Sequence, residues 1–245
     1  MDVLKDKKLK IYYSLITTNN MVIIDTVYQR VLAIANKEQR GYITPQEFNL
    51  FANQAQMEIF EQYFYDLNQF DRVPGNETLY GDMRDNLDEK ISIFQTNATQ
   101  QPGNLPADMY RLGTILDPTG RDVDKVSRKE ASYIENNSLV DPTHLSRYVW
   151  YYDGENSFEV VGTNTAANFT IEYVRAPNPV SWGYVVVNHK AMYDPTSSNH
   201  FELHASEQSE LVNKILSYAG VAMKDPQVSG SGMAMEAQKI QQEKR

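Results

Sequence analysis

Residues 42–64 read YITPQEFNLFANQAQMEIFEQYF, and the helical half of the fold is legible from this stretch. Thr44 stands where an N-cap is wanted, Pro45 takes the first helical position, and Glu47 follows three residues after the cap, the pattern of a capping box. Phe48, Phe51, Ala52, Ala55, Ile59 and Tyr63 then recur at helical spacing, with Leu67 near the end of the same face. Upstream, Ile24, Val27, Val31, Ile34 and Ala35 form a second periodic face, and Gly41 lies between the two runs, where a left-handed residue commonly closes a helix. Residues 24–68 therefore predict a helical hairpin. Phe60, Phe64 and Phe70 fall partly off the main face, and a second apolar face on one helix predicts a neighbour to cover it.

Pro74-Gly75 breaks the chain, and Met83, Leu87, Ile91 and Phe94 predict a third helix. TNATQQPGN at 96–104 reads as a loop by composition. From Leu105 to about Val187 the apolar runs are short and bounded by turn signals. Arg147 to Tyr152 meets Asp153-Gly154, a strong hairpin signal, and residues 157–161 make the return strand. Residues 169–174 alternate as another strand, and Pro177 and Pro179 end the pairing. Helix returns with Ser206 as expected N-cap and Glu207 and Glu210 in its first turn. Leu211, Val212, Ile215, Leu216, Ala219 and Ala222 supply its apolar face, and Pro226 stops it. The segment 228–233 is linker-like, and the polar end that follows is expected to order only on a partner.

The expected class is α+β: a helical hairpin or bundle with an inserted small antiparallel β-sheet domain, a sandwich being one form it could take, and an extended C-terminal tail. The expected division is an arm at 1–21, the first part of the helical domain at 22–100, the β domain at 101–187, the return helix at 188–226, and a linker with a docking tail at 227–245.

The 245 residues hold 23 Lys and Arg against 32 Asp and Glu, a formal charge of −9, and no cysteine. Without Cys there are no disulfides, no thiolate catalysis and no Cys-based zinc site. An acidic chain lacks the clustered cations of a sequence-independent phosphate grip. No apolar run reaches the roughly 18 residues of a membrane span, and the first 20 residues read as neither signal peptide nor anchor.

Two motifs invite metal chemistry and argue against it. Asn36 to Glu47 has the outline of a calcium loop, with Gly41 sixth and Glu47 twelfth, but Asn36 replaces the first Asp and Arg40 puts a cation at the fifth position. A helix end at Gly41 and a capping box at Thr44 and Glu47 explain the same residues. His200 and His204 are four apart, which on a helix places both rings on one side, yet Phe201 stands where the zinc-protease pattern needs glutamate. The acidic run Asp82, Asp85, Asp88 and Glu89 reads as a wet helix face. Phosphate loops, nucleophile elbows and catalytic triads have no counterpart. No enzyme activity, cofactor or metal is expected.

Tyrosine is abundant, at 16 residues, and Tyr and Trp give contact area at low entropy cost. Phe60, Phe64, Phe70, Tyr148, Trp150, Tyr152, Met233, Met235 and Ile240 are accordingly the candidate contacts to other subunits.

Residues 42–64 resemble the opening helices of phage head-to-tail connector proteins. Leu105-Pro106-Ala107-Asp108-Met109-Tyr110, Asp124 to Glu130, Asp141-Pro142-Thr143, Ile171 to Pro177 and Trp182 resemble the central region of podovirus tail-tube adaptors. FELHASEQSELVNKILSYAGVAMKDPQV, residues 201–228, resembles a helix of ring proteins in crAss-like phages. The resemblance spans most of 22–245 and rests on the order of these motifs. It implies a structural virion protein: a closed ring, commonly of twelve copies, that docks under the portal protein, contacts adjacent tail rings and extends a channel for double-stranded DNA without sequence-specific binding. It implies no catalytic residues and no membrane, with assembly in the host cytoplasm. Another tail ring or stopper subunit is the alternative; a carbohydrate-binding adhesin would instead need exposed aromatics on one sheet face.

Overall fold

A computed structural model describes residues 21–37, 43–72, 77–137, 139, 147–222, 234 and 237. The chain divides into two compact units, 1–93 with 177–245, and 94–176. The sequence places these boundaries at 100/101 and 187/188; the structure sets them seven and eleven residues earlier.

The first unit contains α1 (Ile24–Lys37), α2 (Pro45–Arg72), α3 (Glu77–Ser92) and α5 (Gln208–Ala222). Both α1 and α2 pack on the return helix α5, and α2 also packs on α3. The expected cap is present. Glu47 N–H donates to Thr44 Oγ1 at 3.3 Å, and Thr44 N–H donates to Glu47 Oε2 at 2.9 Å. The Thr44 hydroxyl also donates to Glu47 Oε2, at 2.7 Å, and this bond, followed by the one from Thr44 N–H, holds the Glu47 carboxyl below its ordinary pKa; the box commits to the helix start the residue that would be twelfth in a calcium loop. Positions 38–42 of that loop lie outside the described residues. Ile34, expected on the buried face, is exposed, whereas Val27, Val31 and Ala35 are buried. Tyr28 joins them, its ring edge-on to Phe48 at 4.7 Å.

The second unit, 94–176, is built of two sheets. One has the order β1 (Gln95–Gln100), β7 (Phe169–Arg175), β3 (Met109–Leu116); the other has β2 (Gly103–Asn104), β6 (Ser157–Gly162), β5 (Tyr148–Tyr152), β4 (Asp124–Lys125). Their alternating inward residues form one core: Ile115, Phe169, Ile171 and Tyr173 from the first sheet, Trp150, Phe158 and Val160 from the second, the arrangement of a small sandwich. Entry and exit are adjacent, since Gln95 pairs with Val174. That adjacency is why the boundaries fall early: the polar stretch read as a loop is an edge strand. Its side chains are exposed or half-buried in alternation, so polar residues suit it. Phe94, expected on the third helix, lies past its end and is fully buried.

One pair departs from the expected antiparallel plan. β4 runs parallel to β5, which the chain achieves through a crossover carrying α4 (Arg128–Glu135). That helix starts with a second capping box, Ser127 and Glu130.

After β3 the chain turns on Asp117, whose Oδ1 accepts from Thr119 N–H at 2.7 Å and Arg121 N–H at 2.9 Å. Burial raises the Asp117 pKa, and the hydrogen bonds from Thr119 and Arg121 outweigh it, so the carboxyl ends below its ordinary 3.8. A carboxyl with a depressed folded pKa adds stability that is present above its unfolded pKa and lost as pH falls through the folded one. Glu47, Glu130 and Asp194 are depressed as well, each by hydrogen bonds at a cap or turn. The urea midpoint is therefore expected to hold steady above about pH 5 and to fall below about pH 4. Asp117→Asn should flatten part of that fall, as read by fluorescence-detected unfolding between those limits.

Candidate assembly surface

The candidate contacts separate into three groups. Phe60 and Phe64 are buried, in edge-on contact with each other at 5.1 Å. Their face of α2 is covered within the protomer, because α2 packs on α3 as well as α5, and this corrects the expectation that a neighbour covers it. Trp150 is also buried, at 4% exposure. Tyr148, Trp150 and Tyr152 share one face of β5 by the two-residue period, and that face is the core face. Burial accordingly decreases along it in both directions: Tyr148 is half-buried against Phe169 at 5.2 Å, and Tyr152 is 41% exposed. Lys125 covers the aromatic pair, its Nζ 4.5 Å from the Tyr152 ring centroid and 5.5 Å from that of Trp150. Within this group Tyr152 alone is exposed. The side chain of Phe70, and Met233, Met235 and Ile240, lie outside the described residues.

The histidine pair is not helical. His200 Nδ1 accepts from Ile24 N–H at 3.4 Å. His204 caps a short 3-10 turn, Ala205–Glu207, that leads into α5, accepting from Ser206 N–H. The cap therefore falls two residues before the expected Ser206, and the two rings serve separate backbone ends. Among the described residues no cluster of three His, Asp or Glu is placed to hold a metal ion, and no described helix is long and apolar enough to cross a membrane.

The surface that stands out lies where the sequence placed a domain boundary. β8 (Tyr184–Val187) and β9 (Lys190–Tyr193) form a two-stranded hairpin in the first unit. Asn188 and His189 make its turn with φ of 50° and 62°. Positive φ at both central residues is what a type I′ hairpin turn requires. Boundary 187/188 cut this hairpin at its tip, because Asn-His carries a weaker turn signal than Asn-Gly. Val185 pairs with Met192 and Val186 with Ala191. Val185, Val187 and Met192 therefore share one face, and Val186 lies on the other. All four are exposed, Val186 at 63%. An isolated two-stranded ribbon is marginal in water, and three consecutive exposed valines on strand edges form a template for association.

The hairpin is held at its base. Trp182 stacks on Tyr184 and leans on Tyr193, each at 5.8 Å between centroids, and its Nε1 donates to Asp25 at 2.9 Å. Gly183 allows the turn into β8, since a Cβ there would stand 2.1 Å from Ser197 Oγ and 2.7 Å from the Ser197 backbone.

The segment before it, 178–182, is fixed by α2 in a way the sequence did not reveal. Asn53 Oδ1 accepts from Val180 N–H at 2.8 Å, while its Nδ2 donates to Val180 C=O at 2.8 Å. Asn49 treats Trp182 in the same two-way manner, at 2.7 and 3.4 Å. Gln56 donates to Asn178 C=O at 2.8 Å. Ser181 exchanges both backbone bonds with Asn199 on the other side. A helix rises ~6 Å over four residues and a strand ~6.6 Å over two, so amides four apart on α2 reach alternate residues of an extended segment. The signal was present as Asn49, Asn53 and Gln56 on one helical face, but amides at this spacing are common on wet faces.

Among proteins of known kind, the chain matches no family model and no curated sequence.

Proposed function

We propose that this chain is a non-catalytic structural subunit of a tailed-phage virion, forming a ring of about twelve copies between portal and tail through which DNA passes. The order of parts in the chain supports this reading: helices, an inserted sheet unit and a return helix, alongside the motif resemblance at 42–64, 105–182 and 201–228. The observation that carries it is the β8–β9 hairpin, exposed and apolar on both faces. Such a ribbon is stabilised by a cover, and a subunit of a ring receives one from its neighbour. The net charge of −9 suits a channel past which DNA slides without sticking.

Native mass spectrometry of the protein, alone and mixed with the portal protein of its phage, tests the reading. The expected result is a closed ring, or a complex at portal stoichiometry. A monomer that ignores portal under both conditions would refute it.

A further inference from the structure

We draw no further inference here: the strongest candidate, the exposed valine and methionine surface of the β8–β9 hairpin, carries nothing because nothing in the structure shows what covers it.

Discussion

Lys90→Met should destabilise the helical unit by about 2–3 kcal/mol. Lys90 Nζ lies 2.5 Å from Glu207 Oε1, and the Glu207 side chain is only 3% exposed. The same ammonium stands 5.5 Å from the Tyr63 ring centroid. Removing one partner of a buried pair leaves a charge in a poor solvent, which costs about 3–5 kcal/mol when both members are fully buried. Lys90 keeps a quarter of its side chain in water, which screens the pair and brings the expected loss to the bottom of that range or just below it. The pair ties the last turn of α3 to the 3-10 turn that begins the return helix, two elements far apart in sequence. Lys90→Met combined with Glu207→Leu should recover most of the loss, because an apolar pair of similar volume needs no compensation. Urea unfolding of the two variants and the wild type measures this. A double variant no more stable than Lys90→Met would show that the ion pair is not the cause.

Asn53→Leu should cost about 2–4 kcal/mol, with the loss concentrated around 178–182. Val180 is 2% exposed, and the Asn53 amide satisfies both its backbone groups. An orphaned buried donor or acceptor costs about 1–3 kcal/mol. Asn53→Asp keeps the acceptor for Val180 N–H and loses the donor, so an intermediate loss is expected. Hydrogen exchange should then accelerate at Val180 and Trp182, while Ile115 and Ile171 in the sheet unit stay protected. Equal acceleration in both units would overturn this assignment. Because the same strap positions Trp182 under the hairpin, Asn53→Leu should also disturb β8–β9 without touching it.

How far the sequence carried depends on where the information sits. The start of α2 is local: Thr44, Pro45 and Glu47 interact within one turn, so the cap was read correctly from three residues. The strands β5, β6 and β7 likewise announced themselves through alternation and Asp153-Gly154. Edge strand β1 did not, because a strand whose side chains alternate between exposed and half-buried needs no apolar residues, and its pairing with β7 joins residues 69 to 79 positions apart, from Gln100 with Phe169 to Gln95 with Val174. The histidines misled for a related reason. Spacing of four indicates one face only if the backbone is helical, and residues 200–203 are not helical, with Phe201 and Leu203 fully buried.

The candidate contacts show the same division. Phe60 and Phe64 looked surplus to one helix face, but periodicity cannot say whether the cover comes from another chain or from elsewhere in this one. The β5 aromatics were chosen for residue type, while their exposure followed from which face of the strand met the other sheet. The hairpin was cut at its tip because Asn188-His189 carries a weaker turn signal than Asn-Gly.

What this sequence determines by itself is the class of the chain: helices at 24–68 and near 208–222, a sheet region between them, an acidic surface and no thiol chemistry. These follow from short-range propensity, period and composition, which each residue carries wherever it is placed. Only the tertiary structure decided which apolar residues were left outside, that α2 grips an extended strap through its amides, and that Lys90 meets Glu207. Those facts depend on pairs of groups brought together from distant positions, and burial belongs to the pair rather than to either residue.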